Sequence, residues 1–124
     1  MKGCNSILLV EDDRDIMSAL IEALRSEGYR PEQARDGIEA LKKIERLSKP
    51  CLVLLDLLMP GMDGFTFISE IKQREMTGVV HIVVITAMSR VNLEGIRVLA
   101  KPMDLDALFH VVDDVCGDIK NAPA

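Results

Sequence analysis

The residues that could do chemistry are acids, a threonine and a lysine, each placed at the end of an apolar run. Ser6-Ile7-Leu8-Leu9-Val10 leads into Glu11-Asp12-Asp13. Val53-Leu54-Leu55 leads into Asp56, and Leu57-Leu58-Met59-Pro60-Gly61-Met62-Asp63-Gly64 follows. Val79 to Ile85 ends at Thr86, and Ile96 to Ala100 ends at Lys101-Pro102. Clustered carboxylates repel one another, so a divalent cation is their natural neutraliser. Mg²⁺ fits best, because it takes oxygen ligands, accepts one or two carboxylates and keeps several waters. A lysine is a point charge suited to a phosphoryl oxygen, and Thr86 offers a hydroxyl. With Asp56 as nucleophile, these are the parts that phosphoryl transfer to an aspartate requires, since catalysis there is positioning plus charge neutralisation.

Each residue also has a plainer reading. Asp56 could cap the loop after its strand. Glu11-Asp12-Asp13 could be an acidic first turn favoured by a helix dipole. Thr86 could be an ordinary β-branched strand end, and Lys101-Pro102 a solvated turn. His81 and His110 read as strand and helix-surface residues with no partner at ligand spacing. The conjunction at four successive strand ends favours the chemical reading.

The elements that must position these residues alternate. Ser6 to Val10 is a buried strand. A helix follows from Arg14 to Glu27, with Ile16, Leu20 and Leu24 at helical spacing beside Met17 and Ile21; Asp13 is its N-cap and Gly28 its stop. Tyr29 to Ala34 is a short strand, and Pro31, which removes a ladder donor, puts it at a sheet edge. Asp36-Gly37 starts a second helix with Ile38, Leu41, Ile44 and Leu47 inward, ended by Lys49-Pro50. Cys51 to Asp56 is the central strand, and Gly64 to Glu75 a third helix with Phe65, Ile68 and Ile71 inward. Val79 to Ile85 is nearly all β-branched, as in a strand buried on both faces. Ile96 to Ala100 is the last strand. Asp104 caps a final helix with Leu105, Leu108, Val112 and Val115 on one side, and residues 121–124 form a loose tail.

Alternating strands and helices predict an α/β fold, a parallel sheet with helices on both faces. The edge strand favours a flavodoxin-like, doubly wound five-stranded sheet of order 2-1-3-4-5, with the site at the switch between strands one and three. The 124 residues suit a single domain, residues 1–124, with one core. There are three Phe, one Tyr and no Trp, so aliphatic side chains and seven Met must fill it. No apolar run reaches the roughly 18 residues of a membrane span, and the N-terminus lacks signal-peptide organisation. Cys4, Cys51 and Cys116 are an odd, scattered set without a C-x-x-C pair, and read as buried or free thiols in a reducing cytoplasm. A net charge of -5 lacks the basic footprint of a nucleic-acid binder.

The sequence resembles a receiver domain of two-component response regulators over about Ile7 to Asp118. The motifs that carry the resemblance occur in order: the acid pair after strand one, Asp-x-x-Met-Pro-x-x-Asp-Gly after strand three, Thr-Ala after strand four and Lys-Pro after strand five. The resemblance implies that Asp56 accepts a phosphoryl group from a partner sensor histidine kinase or phosphotransfer protein. It implies that Asp12, Asp56 and the backbone carbonyl of Leu58 bind Mg²⁺ directly, with Glu11 acting through water, and that Thr86 and Lys101 contact the phosphoryl oxygens. It further implies a cytoplasmic protein that turns over no external substrate, that reports to a downstream effector domain or protein, and that forms homodimers in some cases.

Three features depart from that pattern. Only Ala87 to Gly95 separate strands four and five, whereas a crossover with its helix needs at least about 10 to 12 residues; the fourth helix should be about one turn or a loop. Val98, three before Lys101, replaces the aromatic residue that receivers often carry. Leu58 and Met88, which would flank the phosphoryl group, are both apolar and would hinder an attacking water. Other functions fit less well. A non-switching interaction module of the same fold is favoured only by the short fourth segment. An aspartate-nucleophile phosphatase of the haloacid dehalogenase type wants a second Asp where Leu58 stands. A flavodoxin-like electron carrier wants a phosphate-cradling loop and aromatic partners.

Overall fold

Each of the four described helices begins where an aspartate side chain accepts the first free backbone N–H groups. Asp13 accepts from Asp15 and Ile16 and starts α1 (Arg14–Ser26). Asp36 accepts from Glu39 and starts α2 (Gly37–Arg46). Asp63 accepts from Thr66 and starts α3 (Gly64–Gln73). Asp104 does the same for the last helix, α4 (Leu105–Lys120), through the N–H of Asp106. These elements belong to a computed structural model that describes residues 4–120 apart from positions 60, 89 and 103, with the backbone alone at 117–120. The tail at 121–124 and Pro60 therefore lie outside the described residues.

The strands are β1 (Ser6–Val10), β2 (Pro31–Ala34), β3 (Cys51–Asp56), β4 (Val80–Thr86) and β5 (Arg97–Ala100). They form one parallel sheet in the order β2-β1-β3-β4-β5, as the sequence predicts. β2 starts at Pro31 and lies at the edge, where a missing ladder donor costs nothing. β3 is central and buried at all six positions. Its alternate side chains serve two cores. Val53 and Leu55 face α2 and α3, against Leu41, Ile44, Phe67 and Ile71. Leu52 and Leu54 face α1 and α4, against Leu20, Leu24, Leu108 and Val112. Apolar residues on both faces of the strand are what a doubly covered parallel sheet demands.

Between β4 and β5 there is no helix among the described residues. Val91, Leu93 and Ile96 instead lie half-buried against the α2–α3 face. This agrees with the count of residues available for the crossover. β5 is also short, and its pairing with β4 begins only at Val83. A cavity of about 530 Å³ lies beside the start of β4, on the side that β5 does not reach, lined by Ile68, Ile71, Ile82, Ile96 and Val115 among others.

Four expectations need correction. Ile38, Phe65 and Leu105 do not face the core but are 50%, 41% and 45% exposed. Each is the first or second residue of its helix. Helical spacing puts them near the right stripe, but in α2 and α3 it is Gly37, Ala40, Gly64 and Phe67 of the same first turns that are buried, so the inward stripe runs beside Ile38 and Phe65. Phe67, not Phe65, fills the core under α3. The fourth correction concerns the cysteines. Cys4 and Cys116 are joined in a disulfide across 112 residues, and of the three only Cys51 is a free, buried thiol. Sequence spacing gave no pairing because the contact depends on α4 returning over the start of β1.

Candidate functional site at the strand ends

The parallel register brings four strand ends to one edge. Val10 pairs with Leu55, Asp56 with Ile85, and Thr86 with Ala100, so Glu11, Asp56, Thr86 and Lys101 end up side by side. Backbone bonds fix the ends: Glu11 N–H donates to Ala34 O at 3.1 Å, and Lys101 N–H to Thr86 O at 2.9 Å.

Lys101 closes the site. Its ammonium donates to Glu11 Oε1 at 2.8 Å and to Asp56 Oδ2 at 3.2 Å. The other oxygen of Glu11 accepts from the N–H groups of Asp12 and Asp13. Asp56 Oδ1 accepts from the N–H of Leu58 at 3.2 Å. Leu58 thus meets the site through its backbone, while its side chain is exposed. Glu11, Asp56 and Thr86 are buried, whereas Asp12 is exposed. Thr86 Oγ1 accepts from the N–H of Met88 at 3.1 Å, so its hydroxyl is engaged by the loop that follows it.

Burial has electrostatic consequences. Desolvation pushes the Glu11 carboxyl above its ordinary range; the Lys101 hydrogen bond opposes this, and the charge of Asp56 adds to it. Burial by itself would lower Lys101, but the hydrogen bond from its ammonium to Glu11 and the charges of Asp56 and Glu11 together hold it above its ordinary value. Two buried acids therefore depend on one cation.

Glu11, Asp12 and Asp56 each offer a carboxylate oxygen, and these atoms lie within 4.8 Å of one another. An all-oxygen donor set of this size suits Mg²⁺ and offers nothing to a thiolate-seeking metal. Asp13 stands apart, because its side chain caps α1. Sequence reasoning missed the direct Glu11–Lys101 contact, which spans 90 positions. It also missed the Cys4–Cys116 pair; the available signal was that Cys116 continues the inner stripe Leu108, Val112 of α4.

The fold and this acidic edge match a known family. Residues 7–113 fit the model of the response regulator receiver domain. The chain belongs to that family of signalling switches. It is 32% identical over 113 residues to sporulation initiation phosphotransferase F of Bacillus subtilis, covering 86% of this chain and 89% of the relative. It is 35% identical over 125 residues to transcriptional regulatory protein GlrR of Escherichia coli, covering 95% of this chain but 27% of that protein. Among solved structures, response regulator TrrA of Thermotoga maritima in complex with Mg²⁺ and BeF superposes with a TM-score of 0.79 at 33% identity, over 93% of this chain and 99% of that one. A CheY-like receiver from Methanospirillum hungatei superposes with a TM-score of 0.82 at 26% identity, covering 94% and 98%.

Proposed function

We propose that the chain is a phosphoryl-accepting switch of a two-component phosphorelay, modified on Asp56 by a partner histidine kinase or phosphotransfer protein. The observation that carries this reading is the Lys101 ammonium held between Glu11 and Asp56 beside a set of acid oxygens. In this reading Asp56 Oδ attacks the phosphorus of the partner's phosphohistidine, the imidazole leaves, and an acyl phosphate forms. Lys101 transfers from its carboxylates to the phosphoryl oxygens, and Thr86 gives up the Met88 N–H to donate its hydroxyl. Asp12, Asp56 and the Leu58 carbonyl would hold Mg²⁺ directly and Glu11 through water, and the ion would supply positive charge to the acids and the phosphoryl group. The chain catalyses only its own modification.

Around this edge the exposed Leu58, Phe65, Met88 and Leu105 supply apolar area. Such patches suit a protein partner that must bring a histidine to Asp56. The modified site then biases the loops after β3 and β4, which an effector domain or protein reads. We assign the domain to the cytoplasm; no helix among the described residues is long and apolar enough to cross a membrane. Direct contact with nucleic acid is left to other chains or domains, and self-association is a further output mode.

The test is intact mass after incubation with acetyl phosphate and Mg²⁺. Wild type should gain one phosphoryl unit, lost with EDTA and in Asp56→Ala. No gain would favour a non-switching interaction module, the reading supported by the lack of a helix between β4 and β5 among the described residues. A finer expectation concerns lifetime. Apolar Leu58 and Met88 should shield the acyl phosphate from water, so Leu58→Asn should shorten its half-life several-fold; an unchanged half-life, or one of seconds in wild type, would remove that role.

A further inference from the structure

Cys4 and Cys116 lie in the same apolar cluster, 3% and 0% exposed, and are covalently joined. Cys51 lies in the other cluster, across the sheet, and cannot exchange with them without unfolding. Its burial also pushes its thiol up, which makes it a poor nucleophile. The three cysteines therefore divide into one pair and one bystander.

The pair holds a particular element. α4 rests on the sheet through Leu108, Val112 and Cys116. Its other side-chain ties include the Tyr29 hydroxyl, which donates to Asp113 at 2.5 Å, and an exposed ion pair of Asp114 with Arg97. Cys116 is near the far end of the helix, whose last described residue is Lys120. Cys4 is anchored next to the α2–β3 connection, because Asn5 donates to Lys49 O and Pro50 O. The bond thus fastens the end of α4 to the start of β1. This is the opposite edge of the sheet from Asp56.

We propose that Cys4 and Cys116 form a reversible thiol–disulfide site that sets how firmly α4 is held on the sheet. The ligand class is a dithiol protein or a small thiol such as glutathione. A thiolate attacks one sulfur to give a mixed disulfide. A second thiolate resolves it. The bridge takes up two electrons and two protons to become two thiols, and the reductant becomes a disulfide. Access requires local opening of the irregular segment at Cys4 or of the last turns of α4, the kind of end that frays first. In a reducing cytosol the thiols are the resting form, so the bridge closes when the surroundings turn oxidising. Closure then restrains α4, a helix whose outer side carries Asp106, His110 and Asp114.

The experiment uses the whole chain, without phosphoryl donor or Mg²⁺, so its failure is distinct from failure of the phosphoryl-switch reading. Air-purified protein, denatured and titrated for thiols, should show one, and three after dithiothreitol. Native protein equilibrated in glutathione buffers of decreasing oxidation should pass from one to three. Reduction should lower Tm by about 10 °C and speed amide exchange in residues 105–120 by about tenfold or more, with less change in β3. Cys116→Ser and Cys4→Ser should behave as the reduced protein and ignore dithiothreitol; if either fails to fold, the reduced wild type still provides the comparison. Three thiols at every poise would overturn the proposal. So would a bridge that opens only in denaturant, or a reduced form with unchanged Tm and exchange.

Discussion

At the scale of single residues, the site is a charge balance with one cation. Glu11 and Asp56 are both buried, and Lys101 contacts both. Lys101 is 19% exposed at its side chain, so its pairs are screened less than surface ion pairs. Removing it leaves two carboxylates facing one another. Lys101→Ala should lower metal-free stability in urea by about 2 kcal/mol, and added Mg²⁺ should restore part of the loss. Equal stability of wild type and variant would mean that the acids do not depend on the lysine. The sign with pH follows from the shift. Lys101 lies above its ordinary 10.5, so its contribution is complete below that value and is lost as pH rises through the folded value. Lys101→Ala should therefore differ from wild type least in strongly alkaline solution.

At the scale of elements, the turn from β3 into α3 decides where Asp56 sits. Gly64 opens α3, and its N–H donates to Leu57 O at 3.0 Å. A Cβ there would meet Leu57 Cα at 2.6 Å and Asp56 O at 2.9 Å. Both are backbone atoms that cannot swing aside, so the helix start or the strand end must shift. Gly64→Ala should cost about 2 to 3 kcal/mol and lower the rate of phosphoryl acceptance with it, read by thermal melts and by mass. A variant with wild-type stability would show that the turn gives way more easily than this packing implies. The Asp-Gly that the sequence offers as a helix start thus has two jobs: Asp63 caps α3, and Gly64 lets it pack against the end of β3.

At the scale of the whole molecule, the sheet carries a divided load: one edge gathers the acids, and the opposite edge carries the Cys4–Cys116 bond. A cation held at the acid edge by the folded chain alone would stabilise the entire fold. At a hundredfold excess over its Kd, Mg²⁺ should add about 2.7 kcal/mol of stability, and Asp12→Asn should abolish most of that gain. Asp12 is the variant of choice because it is exposed and is no part of the Lys101 contacts. A Tm that ignores Mg²⁺ in wild type would remove the metal site. The sequence by itself determined the strand and helix order, the edge position of the Pro31 strand, the aspartate caps and the shortening of the crossover between β4 and β5. These rest on local spacing, proline chemistry and residue counts, which act over a few positions. It also pointed to Glu11, Asp12, Asp56, Thr86 and Lys101, since strand ends of a parallel sheet must meet at one edge. The tertiary structure alone decided which apolar residues face inward at the first turns of the helices, because that depends on how each helix is rotated against the sheet. It alone decided that Lys101 bridges Glu11 and Asp56, and that Cys4 meets Cys116. Those contacts join positions 45 to 112 apart, and no local pattern encodes the path of the chain between them.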